Sequence, residues 1–547
     1  MKRKLVSLLL GITLSLTVMG CNSQIGSTNE ATDIVVTTQE TEEQAVSAEL
    51  EIEGASYIHL SDEEITIDAD AVTANTEDSV YIANDIVYYE EGKDFTYGEG
   101  TEEDAHSKEE AEKHTVVHIT KPGTYVLSGK LEAGQIAVDL GEEAEDDPEA
   151  VVTLVLNNVD ITCSVAPGVI FYNVYECGSS DEEEATKDVD TTTAGANVLI
   201  PDGTDNTVTG SYVARIYKSV ELNEDGTEVV DSKKLHKYDG AFYSKMSMNI
   251  NGGEENTGRL NIYAENEGLD TELHLTLNGG TVNIVSGNDG INTNEDNVSV
   301  TTVNGGFLNI RVDGQTGEGD GIDSNGWLVI NGGVVHAAAC SDSMDAGIDS
   351  DKGIHVNGGT VIATGNMFDH ISESEQDYVV FAFQDMVKAD EKITLKKGEE
   401  ELFLTMVNEY TYLIVSNEFV TEGGTYTLWK DDEQLSVVEM SGNMGGPGMM
   451  KPDDKMPEGF KPGQMAEGME PGERPEMPEG MEPGERPEMA MEPGQMPEGF
   501  EGGRRPGEME EGKRPDRGNS QMNIEEAMTE FVIKEGGNMF MVMSVSK

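Results

Sequence analysis

Cysteine is nearly absent from this chain. Cys21, Cys163, Cys177 and Cys340 are the only four in 547 residues, too few for a disulfide scaffold, and no CxxC pair marks a zinc site. Tryptophan is rarer still, at 2, while glycine reaches 62, a balance that points away from helical bundles. Positive charge is the third scarcity: 35 Lys and Arg stand against 106 Asp and Glu, a formal net charge of −71. A surface of that sign repels nucleic acid and anionic lipid, which are bound through clustered basic side chains. It also repels acidic polysaccharide unless a divalent cation stands between them. Any metal bound here is expected to be hard and oxygen-liganded. Hydrophobic residues make up only 37%, although a chain of this length can still bury a sizeable core.

Long apolar runs are scarce as well. The one at the start, Leu5 to Val18, follows Lys2-Arg3-Lys4 and falls short of the roughly 20 apolar residues a membrane-spanning helix needs. A basic patch, a short apolar stretch and a small residue read as a secretion signal. Val18-Met19-Gly20-Cys21 resembles a bacterial lipobox. Residues 1–20 are then a lipoprotein signal peptide, Cys21 carries the lipid, and residues 21–59, rich in Thr, Glu and Ala, form a solvated tether. The rest is expected outside the cell, held to the bacterial membrane by lipid alone.

What is present in abundance is repetition. Asn-Gly-Gly begins at Asn251, Asn278, Asn304, Asn331 and Asn357, in steps of 27, 26, 27 and 26 residues. Alternating runs follow the glycines: Thr281-Val282-Asn283-Ile284, Phe307-Leu308-Asn309-Ile310, Val334-Val335-His336-Ala337 and Thr360-Val361-Ile362-Ala363. That two-residue period belongs to strands with one buried face. A second element precedes each of the last four tripeptides: Gly268-Leu269-Asp270-Thr271, Gly290-Ile291-Asn292-Thr293, Gly321-Ile322-Asp323-Ser324 and Gly347-Ile348-Asp349-Ser350. One such repeat cannot bury its own aliphatics, but stacked repeats share a continuous core. Helical periodicity is missing. Short strands with glycine corners at one repeat length predict an all-β fold, a right-handed parallel β-helix or solenoid. The asparagines are expected to be structural, making turns or a side-chain ladder along one corner.

Upstream, Pro122 to Gly129, Gln135 to Asp139 and Val152 to Val159 read as further strands. Downstream, Tyr378–Gln384, Phe403–Met406 and Thr425–Trp429 read as an antiparallel appendage. Thirteen of the 17 prolines then fall between Ser441 and Gln521, where MEPGERPEM occurs twice, a composition that cannot bury a core. The domain reading is a β-helix over 60–370, a small β-rich appendage over 371–440, a disordered Met/Pro/Gly/Glu-rich insertion over 441–521, and terminal strands over 522–547.

Pro122-Gly123-Thr124-Tyr125-Val126-Leu127-Ser128-Gly129, Thr153 to Val159, the Asn-Gly-Gly ladder and Asp320-Gly321-Ile322-Asp323-Ser324 together resemble the secreted carbohydrate-binding β-helix proteins of cellulolytic clostridia. The resemblance covers roughly residues 60 to 440. It implies a pectate-lyase-like fold, calcium as cofactor, and binding of cellulose-like and pectin-like polymers by proteins not established as enzymes. This chain departs from the pattern in its very acidic loops and its Met/Pro/Gly tract.

Within the repeats, Asp323 and Asp349 occupy one motif position, as do Asp289 and Asp320. Stacking at the ~4.8 Å spacing of strands would set such carboxylates repelling by about 3 kcal/mol at an effective dielectric of 20. They are solvated, partly protonated, or bridged by a cation. Ca²⁺ suits the bridge, taking 6–8 oxygens, with Asp320, Asp323, Asp345 and Asp349 supplying most and Asp289 or Asp351 assisting. Lys352 is the best candidate base should the protein be a pectate-type lyase, although carboxylates beside it would raise its pKa and blunt it; an ordinary surface lysine is the other reading. Trp327 sits at an expected corner, either as a sugar-stacking platform or packed on the edge. The function expected is calcium-dependent binding of plant cell-wall or similar polysaccharide by a monomeric surface protein. A lyase and a structural adhesin are the alternatives.

Overall fold

The structure is a computed structural model and describes residues 50–223, 225–372, 374–440, 527–534 and 537–543. The signal segment, Cys21, most of the tether and the 441–521 insertion lie outside the described residues. Within them the chain is essentially all-β, with a four-residue helix at Lys108–Ala111 and a 3-10 turn at Glu142–Asp146. No described helix is long and apolar enough to cross a membrane.

The repeats contribute short strands to three ladders, in which each strand pairs in parallel with its counterpart one repeat later. The first ladder runs through Ala196–Ile200, Met248–Gly252, Leu275–Leu277, Val300–Val303, Trp327–Ile330 and Gly353–Val356. The second runs through Asp205–Gly210, Arg259–Ala264, Thr281–Ser286, Phe307–Val312, Val334–Ala338 and Thr360–Gly365. The long strand Val152–Thr162 feeds both. The third ladder joins Thr115–Ile119, Gly134–Val138, Val169–Phe171, Gly240–Ser244, Glu267–Thr271, Ile291–Thr293 and Ile322–Ser324.

Alternation explains the burial. In Thr281–Ser286, Val282, Ile284 and Ser286 turn inward while Thr281, Asn283 and Val285 are half-buried. Aliphatics from all three ladders meet in one core extending from Ile58 to Ile414. At the corners the second glycine of the tripeptide takes the left-handed conformation: φ is 83° at Gly280, 79° at Gly306, 77° at Gly333 and 86° at Gly359. A Cβ on Gly306 would also lie 2.4 Å from the carbonyl oxygen of Gly280, so backbone crowding and φ both select glycine. The asparagines form the ladder. Nδ2 of Asn278, Asn304, Asn331 and Asn357 donates to Oδ1 of the preceding asparagine at 3.0, 2.9, 2.9 and 2.8 Å. The first tripeptide differs, since Asn251 and Gly252 end a strand.

Two segments differ from expectation. Ser56–Leu60 is a strand paired in parallel with Gly123–Leu131, so a strand of the fold lies largely inside the span assigned to the tether; Ile58 and Leu60 are fully buried. Val213–Leu222 and Val229–Tyr238 form a long antiparallel hairpin, announced in the sequence only by the Asp225-Gly226 turn.

The appendage continues the second ladder, since Thr360–Gly365 pairs antiparallel with Tyr410–Ser416. Tyr378–Val387 follows, and Asn538–Val542 inserts between it and Val437–Glu439. Phe381, Phe531, Phe540, Tyr410 and Tyr426 fill a second core. Cys163 and Cys340 are buried, Cys177 is half-buried, and all three are free thiols.

Candidate functional site

The Gly-aliphatic-Asp motifs lie on the third ladder, where register decides which side chains stack. Leu269, Ile291 and Ile322 align as core residues, so Asp270, Asn292 and Asp323 align beside them. A bridge between Ile322 and Ile348 carries the column on to Asp349. The residues preceding the glycines, Glu267, Asp289 and Asp320, form a second acidic column: the amides of Gly268 and Gly290 donate to the carbonyls of Asp289 and Asp320. Together they make an acidic track along several repeats.

The predicted metal residues divide by what they touch. Oδ1 of Asp289 accepts from the Asp320 amide at 2.7 Å, and Oδ1 of Asp320 from the Ala346 amide at 2.5 Å. Oδ2 of Asp345 accepts from the Gly319 amide at 2.6 Å and from the Ser343 hydroxyl. One oxygen of each is thereby engaged in holding neighbouring repeats together. Asp323 and Asp349 stack without such bonds to the next repeat, and Asp351 is exposed at the margin. Asp369, which no repeat motif marks, joins this end: it is buried, and its Oδ2 accepts from the Ser350 amide at 3.3 Å.

Electrostatics follows from burial and like charge. Burial, then the charges of Asp289 and Asp349, pushes Asp320 up to about 9. Burial and Asp323 push Asp289 to about 7, and burial and Asp349 push Asp323 and Asp369 to about 7. Asp349 and Asp351 are also raised, by burial first, then by Asp351 and Asp296 respectively. At the other end, burial holds Glu267 and Asp270 well above the carboxylate range, with Asp270 and Asp239 as the leading neighbouring charges.

Calcium needs several oxygens converging on one point. Among the described residues no three His, Cys, Asp or Glu side chains are placed to hold one ion. Glu267 Oε2, Asp270 Oδ2 and Asn292 Oδ1 are nevertheless buried with no donor. Their partner atoms are taken: Asn292 Nδ2 donates to Glu267 Oε1 at 3.0 Å, and Asn294 Nδ2 to Asp270 Oδ1. Buried acceptors left without donors are costly, and two carboxylates plus an amide are the oxygen set a hard cation takes. Lys237 of the hairpin reaches the same place, its Nζ donating to Asn294 Oδ1. Glu267 escaped the sequence reading because it stands where later repeats carry Asp; Lys237 comes from an element with no repeat signature.

The remaining candidates sit apart from that end. Lys352 Nζ lies 5.6 Å from the centroid of the half-buried Trp327 ring, so the lysine covers the face a sugar would use. A surface hollow lined by Leu50, Ile52, Tyr57, Val126, Ser128 and Asn157 contains none of the predicted site residues.

A sequence model of the family described as carbohydrate-binding domain-containing protein matches residues 113–432. A curated relative of that same description, from Acetivibrio thermocellus, is 27% identical over 169 residues, which is 31% of this chain and 44% of the relative. The chain therefore spans less than half the length of that relative. A solved structure described as a polysaccharide lyase-like protein from C. thermocellum, a gadolinium derivative, covers 58% of this chain and 96% of its own at 18% identity and a TM-score of 0.31.

Proposed function

The chain belongs to the carbohydrate-binding domain-containing family, and from that premise we propose that it is a cell-surface protein binding cellulose-like or pectin-like polysaccharide in a calcium-dependent manner. The observation that carries this reading is the extent of the match, residues 113–432, which takes in all five Asn-Gly-Gly repeats and most of the appendage. The repeats, on this reading, wind as a right-handed parallel β-helix; the three parallel ladders and the corner of hydrogen-bonded asparagines support it. Cys21 is the proposed lipid anchor, supported by the basic and apolar stretch before it.

Calcium is drawn to the acidic track, with Glu267, Asp270 and Asn292 supplying oxygens at one end and Asp323 and Asp349 at the other. What supports this is the set of donorless buried oxygens and the cost of ionising stacked carboxylates without a counterion. The ion would neutralise charge that otherwise strains the stack, so it stabilises whatever surface the stack presents. The lyase alternative gains no observation of its own, since Lys352 stacks on Trp327 and Lys237 Nζ is engaged with Asn294 Oδ1.

The experiment is a panel of insoluble and soluble polysaccharides, cellulose and polygalacturonate included, run with calcium and with chelator. Retention on at least one polymer, weakened by chelator, is expected. Retention on none overturns the polysaccharide reading, retention indifferent to chelator overturns the calcium dependence, and release of ultraviolet-absorbing unsaturated uronate establishes the lyase instead.

A further inference from the structure

The outward face of the second ladder differs from the rest of this acidic molecule. Three strands in register, Arg259–Ala264, Thr281–Ser286 and Phe307–Val312, present a grid of nine side chains. Its central column is Asn261, Asn283 and Asn309. Asn309 Nδ2 donates to Asn283 Oδ1 and Asn283 Nδ2 to Asn261 Oδ1, both at 2.9 Å, and Asn261 Nδ2 to Asp205 Oδ1 at 2.8 Å. At the four corners stand Arg259 and Tyr263 on the first strand and Phe307 and Arg311 on the third. All four are exposed, Tyr263 and Phe307 by 48% each.

Each corner is unspent. Arg215 is the arginine that forms ion pairs, with Glu99 and Asp239; among the described residues neither Arg259 nor Arg311 lies within ion-pair distance of a carboxylate. Two unpaired guanidinium groups on one face are unexpected in a chain of net charge −71. Tyr263 and Phe307 are large rings left in solvent on a face that is otherwise polar except for Val285, and such rings mark contact surfaces. One repeat further on, the appendage covers the same face: Ala338 and Ile362 enter its core, and Asn408 Nδ2 donates to the carbonyls of Val312 and Ala339, each at 2.7 Å. The grid is thus a sheet face with exposed corners and a half-buried middle, and it ends where the appendage begins.

We propose that this floor is the docking surface for an acidic polysaccharide, a polymer of uronic acid units, lying across the diagonal from Arg259 to Arg311. The proposal rests on the polysaccharide-binding reading above and names its surface. A guanidinium binds a carboxylate through two parallel hydrogen bonds and stays charged at every working pH. Ring faces of Tyr263 and Phe307 take the apolar faces of sugars, and the amide column offers donors and acceptors to hydroxyls. With strands about 4.8 Å apart and about 3.3 Å per residue, the two arginines are roughly 16 Å apart at the backbone, a separation only an extended polyanion bridges. A neutral glucan would leave both charges unanswered.

The test compares the wild-type chain with Arg259→Glu/Arg311→Glu and with Tyr263→Ala/Phe307→Ala. Titration calorimetry against polygalacturonate is run at fixed calcium, alongside retention on unsubstituted cellulose and thermal melting. Expected is a loss of polygalacturonate affinity of about tenfold or more in the charge-reversed variant, a smaller loss in the ring variant, weakening of the wild type by added salt, unchanged cellulose retention in the charge-reversed variant, and unchanged melting in both, since all four side chains are exposed. If the wild type binds polygalacturonate and both variants bind it as tightly, the surface is wrong while the family-based function stands. If the charge-reversed variant loses cellulose to the same degree, charge does not select the occupant and the proposal falls. A wild type that binds no polysaccharide removes the parent reading itself.

Discussion

Asn304 shows how much one side chain can do when its neighbours are copies of itself. Its amide donates to Asn278 and its carbonyl accepts from Asn331, so replacing it cuts the corner ladder twice. The corner is exposed and water can replace both bonds, so Asn304→Ala should cost about 1–2 kcal/mol, read as a shifted urea midpoint. Gly306→Ala, two residues on, should cost more, because a Cβ there meets both a φ of 79° and the Gly280 carbonyl. An order of damage opposite to this would mean that the amide ladder, not the glycine turn, sets the corner. This column was legible in the sequence because its members recur at 26 or 27 residues. The column Asn261, Asn283 and Asn309 was legible only in part, although the same physics builds it: Asn283 and Asn309 stand at one position of the alternating runs, but Asn261 precedes Asn283 by 22 residues, because the connector between those two strands is shorter. Fixed period reveals a ladder only when loop length is constant, whereas stacking requires only register.

At the scale of the element, the third ladder sets hydrogen bonding against charge repulsion. Asp289, Asp320 and Asp345 cap amides of neighbouring repeats, yet burial and like charge, from Asp323 on Asp289 and from Asp289 on Asp320, lift the first two. A carboxyl whose folded pKa exceeds its unfolded value holds its proton longer when folded, so stability falls as pH rises from the unfolded pKa through the folded one. For Asp320 near 9, and Asp289, Asp323 and Asp369 near 7, that fall extends up to about pH 9. The buried His274 and His336, pushed down to about 4 by burial, act in the opposite sense but only below the ordinary histidine pKa of about 6.5, so pH 7 to 9 isolates the acids. Metal-free protein should lose melting temperature steadily over that window, and added calcium should restore more at pH 9 than at pH 7, since the ion binds the ionised form. A melting temperature that rises over the window without calcium would be incompatible with the buried acidic track. Sequence spacing brought Asp323 and Asp349 together correctly as a stack. It was blind to the amide bonds, which depend on how the chain bends at each glycine, and to Lys237, delivered by a hairpin outside the repeat.

For the whole molecule, the decisive contact is made by residues near the C-terminus. The alternation of Met539, Phe540, Met541 and Val542 was readable as a strand returning to the appendage, but not which strands it would join, since pairing across so long a gap leaves no periodic trace. Asn538–Val542 lies between Tyr378–Val387, which it joins in parallel, and Val437–Glu439, which it joins antiparallel. It is therefore an interior strand of the appendage, and Phe531, Ile533, Phe540 and Val542 fill the core beneath it. Removing residues 527–547 would open two ladders and expose the faces of Phe381 and Tyr426, so the appendage should lose its cooperative unfolding. The repeats bury their aliphatics against one another, each touching chiefly its neighbours, and their own core runs from Ile58 onward. They should survive the truncation with Ala338 and Ile362 newly exposed. Calorimetry on the shortened chain should show the repeat transition with reduced total enthalpy and increased binding of a hydrophobic dye. Phe540→Ala in the full chain should give a milder version, about 3–4 kcal/mol from an aromatic cavity, confined to the appendage. Loss of the repeat transition in either variant would show instead that the appendage and the repeats fold as one cooperative unit, with the final strand closing both.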